Sequence, residues 1–290
     1  MSDGPALLPS SDAAFVPGKV SIVVLNWNAA PFVARALDSI VRHTHRPYEL
    51  IVVDNGSTDE SREVIAAFVR AHPHVDVRRI DHATNLRFSR GMNAGIRASA
   101  PDARYVVVFC NDVEVKRDDW LDAMIDAVDR GAAVAGHSEI LPVNDEQRDV
   151  FRRNEPAYGD ERLADGMRAL LETRGARYPH VYGYCFLLAR RALERAGLYL
   201  EHGEFRQYHS DWEWYMRFHT LGFEIADARP GVHHWHSISE LIELHPHRYR
   251  ELLAKMDEPA TLARYLSEGR PLFEEESGHR ALAAARGADG

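Results

Sequence analysis

Cysteine is scarce in these 290 residues: only Cys110 and Cys185 occur. Two thiols in apolar runs exclude a disulfide scaffold and a cysteine-built zinc site, and they read as buried free thiols in a reducing compartment. Long apolar runs are missing as well. No stretch approaches the roughly 20 residues that a bilayer-spanning helix needs. The first 17 residues carry no basic segment ahead of an apolar run, so no signal peptide is expected there. Positive charge is in short supply, with 35 Lys and Arg against 44 Asp and Glu and a net charge of −9 with His neutral. That balance disfavours nucleic acid and anionic membrane as general partners, although local basic patches can still hold phosphates. No internal repeat is visible.

What is present is a chain able to build a core, at 45% apolar residues. Its first half alternates two periods. Lys19–Leu25 reads as a buried strand, and Phe32, Val33, Ala36, Leu37, Ile40 and Val41 then recur at helical spacing. Glu49–Val53 is a second buried strand. Ser57 and Glu60 behind it spell a capping box for a helix through Val64, Ile65, Phe68 and Val69. Val75–Ile80 is a weaker strand, Ser89 is a candidate cap for a short helix, and Tyr105–Cys110 is a third strong strand. A helix from Trp120 to Val128 stops at Gly131. This alternation predicts an α/β fold, a mainly parallel Rossmann-like sheet with helices on both faces.

Ligands in such sheets bind outside the carboxyl ends of the strands. Three polar clusters fall at those ends, 26–28, 54–55 and 111–114, so the pattern predicts one shared crevice. The stretch 137–180 is charged and irregular, with Arg148, Arg152, Arg153, Arg162 and Arg168 scattered through it. It reads as an inserted or mobile segment over the crevice. Further elements are Tyr182–Ala189, a helix over Asp211–Leu221, a His-rich segment and an amphipathic helix near Tyr249–Lys255. The last residues, from about Ser267, read as frayed.

Four constellations could carry chemistry. Asp112 and Glu114 follow a buried strand; they suit a divalent metal such as Mg²⁺ or Mn²⁺, or merely a turn. Asp54 and Asn55 make a strand-to-helix turn and could also face a nucleobase. Ser210 and Glu213 spell a second capping box, and Asp211 lies in that helix's first turn. Trp212, Trp214 and Tyr215 beside it are core candidates, one of which could stack on a sugar face. His233, His234 and His236 form a triplet; on a strand His234 and His236 share a face.

In this order the motifs resemble the inverting family 2 glycosyltransferases of the GT-A fold, over roughly residues 19–239. VSIVVLNWN ends in an aromatic-Asn pair at Trp27-Asn28, and VVDNGSTD (Val52–Asp59) is close to the family's second-strand motif. TNLRFSRGMNAGI carries Asn85, Gly91, Asn93 and Gly95 in the family's pattern; VFCNDVEV occupies the acid-x-acid position; HSDWEWYMRFHTLGFEI and ARPGVHHWHS resemble the later segments.

The resemblance implies a nucleoside diphosphate sugar donor, UDP favoured, and a carbohydrate or other hydroxyl acceptor. It implies Mn²⁺ or Mg²⁺ on Asp112 with His234 or His236, and Asp211 as general base of a single in-line displacement. The nucleotide-binding set it implies is Leu25, Trp27, Asn28, Asp54, Asn55, Asn85, Arg87, Asn93 and Asn111. Glu114, Glu213, Gly183 and Trp212 are secondary candidates. The expected organisation is a flexible 1–18, a GT-A domain over 19–240 with a nucleotide half (19–136) and an acceptor half (137–240), and a helical extension over 241–290. A cytoplasmic enzyme is expected; homodimerisation and a peripheral membrane contact are left open.

Three departures stand out, one being more histidines over 233–236 than the pattern requires, which leaves the ligand open between His234 and His236. Cys110 replaces the first acid of the acid-x-acid motif, and Ser210 the first of the later acidic pair. They motivate one alternative, an inactive carbohydrate-binding relative. The other is a sugar nucleotidyltransferase, disfavoured because 26–31 (NWNAAP) lacks the glycine and basic residue that cradle a triphosphate.

Overall fold

The computed structural model describes Pro5, Leu8 and residues 15–158, 161–207, 209–235 and 238–256. The expected flexible start and frayed end fall outside these, apart from Pro5, Leu8 and 15–18. The chain divides into two units, Met1–His234 and Trp235–Gly290.

The first unit opens as the periodicity predicts. Strand β1 (Val20–Asn26), helix α1 (Ala30–His43), β2 (Tyr48–Asp54), α2 (Ser61–Ala71), β3 (Asp76–Asp81), α3 (Arg87–Ala98) and β4 (Tyr105–Cys110) follow in turn. A short β5 (Val113–Val115) precedes α4 (Trp120–Asp129). Strands β1, β2 and β4 are almost wholly buried, which is why they read as continuous apolar runs.

The stretch 137–180, expected to be irregular, is built of regular elements. It contains most of strand β6 (Val134–Pro142), helix α5 (Asp145–Asn154), helix α6 (Glu161–Glu172) and the start of β7 (Arg177–Ala189). A cluster of its own holds it: Val150, Phe151, Leu163, Met167 and Leu171 pack with Trp212 and Met216. Its arginines are spent locally, Arg148 on Asp145, Arg152 on Asp149, Arg153 on Glu204, and Arg168 on Glu155 and Asp165. The charged composition is therefore a solvated, self-paired face over an apolar stripe.

Helix α7 (Arg190–Ala196), helix α8 (Ser210–Thr220) and strands β8 (Ile225–Asp227) and β9 (Val232–His234) complete the unit. Seven strands form one mixed sheet in the order β3-β2-β1-β4-β7-β6-β8. The pairs β3/β2, β2/β1, β1/β4 and β6/β8 are parallel, while β7 runs antiparallel to both neighbours. One face packs on α1, α2 and α4 through residues such as Leu37, Ile65 and Trp120. The other packs on α3, α7 and α8 through Met92, Leu193, Trp214 and Phe218. Strands β5 and β9 pair separately, setting Val113 opposite His234.

Both expected capping boxes are absent. Helix α2 begins at Ser61 with Glu60 at its N-cap and no side-chain cap. Ser57 instead donates its backbone N–H to Asp54. Ser89 is not a cap either; it lies inside α3 and its hydroxyl donates to the Phe205 carbonyl. At α8 the N-cap is His209, and the Ser210 hydroxyl donates to the Gln207 carbonyl. In the second unit, helices α9 (Ile238–Leu244) and α10 (Pro246–Met256) are described. No helix among the described residues is long and apolar enough to cross a membrane.

Candidate active site

The ends of β1, β2 and β4 meet through Asn26. Its amide Nδ2 donates to Asp54 Oδ1 (3.1 Å) and Ser57 Oγ (3.3 Å), and its Oδ1 accepts from Asn111 Nδ2 (2.9 Å). Three sequence-distant polar tips are thereby locked together. Asn26 was only a member of a polar cluster in the sequence, yet it is the hub. Being fully buried, it has to bond within the protein, and its neighbours supply the partners.

Asp54 is fully buried and engaged. Besides Asn26, its carboxylate accepts from the Ser57 N–H (3.1 Å) and from Arg62 Nε (2.8 Å). Burial works to raise its pKa, but Ser57, Arg62 and Asn26 together hold it below the ordinary value. Arg62, which sequence reading passed over, is the cation among these partners. Asn55 is engaged too: it donates to Asn85 Oδ1 and the Arg87 carbonyl and accepts from the Leu86 N–H. Asp54 and Asn55 thus hold the loop shape. Gly56 lets the 84–85 backbone lie against the turn; its φ is +78°, and an added Cβ would stand 2.6 Å from Asn85 N.

The loops above this lattice carry strained backbone. Asn28 has φ +49° and Arg87 has φ +71°, conformations that non-glycine residues hold only when their surroundings impose them. The Asn28 side chain accepts from the Thr58 N–H at 2.7 Å, and its own N–H donates to Ser57 Oγ. Trp27 is half-buried and Arg87 is exposed. Two members of the expected nucleotide set lie elsewhere. Leu25 belongs to the core beneath α3. Asn93 is fully buried, with its amide bonded to Tyr199 N–H, Tyr199 carbonyl and Glu201. The apolar side chain of Leu25 and the satisfied amide of Asn93 are consumed in packing α3.

Asp112 and His234 come together: Asp112 Oδ2 lies 3.3 Å from His234 Nε2. The β5/β9 pairing makes this contact, and Tyr184 stacks on the His234 ring with centroids 4.5 Å apart. His236 lies outside the described residues. Among the described residues, no group of three His, Cys, Asp or Glu side chains converges as a metal shell. Glu114 does not extend the acid pair. It is turned to Arg35 of α1 and to Lys116 (2.6 Å). Burial would raise its pKa, but these two cations hold it below the ordinary value.

Asp211 sits in the first turn of α8. The residue is half-buried, but Oδ1 is shielded from solvent and has no hydrogen-bond partner among the described residues. Loss of water pushes its pKa up to about 6, with Ser210 offsetting part of the effect. The helix N-terminus favours the charged form; desolvation wins. Tyr199 and Tyr215 carry buried hydroxyls that also lack partners among the described residues. Burial, and then the nearby Asp211 charge, raise the Tyr215 pKa. Asp112 and Asp211 both act on the Cys110 thiol, whose pKa is raised first by burial and then by these two charges. The two carboxylates therefore belong to one neighbourhood.

Glu213 and Trp212 do not join it. Glu213 is fully buried in a two-point pair with Arg217 (3.0 and 2.9 Å) and accepts from the Tyr158 hydroxyl (3.0 Å). Trp212 is buried in the helical cluster and donates to His209. Trp214 and Tyr215 are fully buried as well, so none of the three rings presents a face for sugar stacking. Gly183 lies on β7 against Asp211: an added Cβ there would fall 2.7 Å from Asp211 Cγ.

An open mixed sheet with its polar loops at the carboxyl ends of the parallel strands, carrying a buried carboxylate on the facing helix, defines a GT-A-type domain. The model of glycosyl transferase family 2 matches residues 21–197, and the chain belongs to that family. An uncharacterized glycosyltransferase of Nostoc sp. is 28% identical over 145 residues, 49% of this chain and 44% of its own length. The uncharacterized glycosyltransferase EpsJ of Bacillus subtilis is 32% identical over 80 residues, 28% of this chain and 22% of its own. The chain thus spans less than half the length of these curated relatives. The solved mannosyltransferase PcManGT from Pyrobaculum calidifontis, in complex with GDP-Man and Mn²⁺, matches with a TM-score of 0.51 at 19% identity. That match covers 78% of this chain and 58% of PcManGT, and it shows the fold.

Proposed function

We propose that the chain moves a sugar from a nucleoside diphosphate donor, with UDP as the first choice of nucleotide, to an acceptor hydroxyl with inversion. Asp211 is the general base. The observation that carries this reading is the orphaned Oδ1 of Asp211, buried and raised to a pKa of about 6. A base poised near the working pH combines the ionised form with useful proton affinity. As the acceptor oxygen bonds to the anomeric carbon, Asp211 takes its proton, and the bond from that carbon to the diphosphate oxygen breaks.

The donor side is assigned to the half-buried and exposed residues around the polar lattice: Trp27, Asn28, Asn85, Arg87 and Asn111. Asp54 and Asn55 act from below by holding these loops. The residues present also fit a divalent ion. Asp112 offers a hard carboxylate that suits Mn²⁺ or Mg²⁺, and the borderline imidazole of His234 favours Mn²⁺ of the two. Their 3.3 Å spacing is near the roughly 3 Å that donors at right angles keep when each bond is about 2.1 Å. Two protein ligands suffice where substrate phosphate and water complete the shell. Such an ion, when bound, neutralises charge on the departing diphosphate.

The test is release of nucleoside diphosphate from UDP-glucose, UDP-N-acetylglucosamine and GDP-mannose in Mn²⁺, by wild type and Asp211→Asn. The expected result is slow release by wild type on at least one donor, and about 10²–10⁴-fold less by the variant with donor affinity kept. Equal turnover removes Asp211 from its role. Binding with no turnover by either favours the non-catalytic reading that Cys110 and Ser210 motivate.

A further inference from the structure

We propose that Gly183 is the positioning residue for Asp211: the absent side chain at 183 is the seat on which the carboxylate rests, and any larger residue would evict it. The inference rests on the reading of Asp211 as the base, and it says how this chain keeps that base desolvated and aimed.

The geometry is specific. Glycine is usually explained by a positive φ or by a close backbone approach, and neither applies, since Gly183 does not adopt a positive φ. The three nearest atoms that an added Cβ would meet all belong to the Asp211 carboxyl: Oδ2 nearest, then Cγ at 2.7 Å and Oδ1 at 3.0 Å. No backbone atom is among them. The space a side chain would fill is the space the carboxylate fills.

The strand is shaped for this. Between Gly136 and Ser138 two steps along β6 are matched by five along β7, from Val181 to Phe186. A bulge of this kind re-aims residues next to active sites, and Gly183 lies inside it. From the β4 side the Cys110 thiol reaches the Gly183 carbonyl, with Sγ to O at 3.7 Å, which ties the bulge down. The groups around Asp211 offer little compensation for its charge. Its charge is felt by Tyr178 of β7, Tyr215 of α8, Tyr199 after α7 and Cys110 of β4, none of them a cation. Ser210 beside it offsets only part of the effect of burial. Asp112 shares this neighbourhood through Cys110, and among the described residues no cation acts on Asp211, so removing the seat frees the side chain to swing toward water.

The test needs no substrate. Aspartate carboxyl carbons are titrated by NMR in ¹³C-aspartate-labelled protein, with the Asp211 signal assigned by its loss in Asp211→Asn. Wild type is expected to show that carboxyl titrating near 6, and Gly183→Ala to move its midpoint down by about two units toward the ordinary 3.8. A midpoint unchanged by Gly183→Ala overturns the proposal, as does a wild-type midpoint already near 4. Folding is checked by thermal unfolding of Gly183→Ala alone and in an Asp211→Ala background. The proposal requires that any loss in midpoint temperature shrink to about 1 °C or less once the carboxyl is gone. An equal loss in both backgrounds would mean that glycine serves the strand, and would overturn it. If Gly183→Ala alone does not fold, recovery of folding in the double variant supports the proposal and failure to recover ends it. None of these readouts passes through sugar transfer. A chain that transfers nothing would leave them standing, and an active chain whose Asp211 ignores residue 183 would sink this inference alone.

Discussion

Asp211 is stripped of water and given a single serine in return, and both its chemistry and its cost follow. Its folded pKa, about 6, lies above the ordinary 3.8. Between these values the folded chain binds more protons than the unfolded one, so this group's contribution to stability falls as pH rises through the window and stays low above it. Asp211→Asn should therefore stabilise the protein at pH 7 by about 1–3 kcal/mol and give no comparable gain at pH 4; urea unfolding at the two pH values measures this. Donor turnover by wild type should climb with pH through a midpoint near 6, as the base ionises. Asn93 makes the opposite case at the same scale. Its amide is fully used in holding 199–201 to α3. Asn93→Ala should cost about 1–3 kcal/mol of stability while leaving UDP affinity, read by calorimetry, where it was. A drop in affinity without a drop in stability would restore Asn93 to the nucleotide site.

Elements were legible where one physical rule acted alone. The buried strands β1, β2 and β4 announced themselves because burial on both faces leaves mostly apolar residues. Legibility failed where two rules competed for one residue. Ser57 and Glu60, and Ser210 and Glu213, spell capping boxes, but Ser57, Ser210 and Glu213 are engaged by other partners. Asp54 claims the Ser57 N–H, and Arg217 claims Glu213. The stretch 137–180 read as loose because its exposed ion pairs are scattered among its apolar anchors, and the β6/β7 bulge leaves no trace in periodicity. The Glu213–Arg217 pair in α8 gives the element-scale prediction. Glu213→Ala strands a fully buried guanidinium and should cost about 3–5 kcal/mol, whereas replacing both partners with apolar residues of similar volume should cost much less. Chemical denaturation of the two variants decides it, and equal costs would show that the pair contributes no more than its packing.

For the whole molecule, the family match covers 21–197, and His234, one of the two residues assigned to the ion, lies beyond it. Only the fold carries that histidine back to Asp112, through β9 pairing with β5. Sequence order could place the acid; it could not say which imidazole meets it, because that depends on the register of two three-residue strands. The donor and the ion are thereby linked, since neither Asp112 nor His234 alone makes a divalent site and the diphosphate supplies the remaining oxygens. Linkage then predicts a conditional stabilisation. UDP at about 100 times its dissociation constant should add about 2.7 kcal/mol in Mn²⁺, read as a rise of several degrees in the unfolding midpoint. Most of that rise should vanish with a chelator, and likewise in Asp112→Ala and His234→Ala. Mn²⁺ without nucleotide should shift the midpoint little, because two protein ligands hold it weakly. The same UDP shift in chelator as in Mn²⁺ would detach the ion from the donor site and leave the Asp112–His234 contact as an ordinary hydrogen bond.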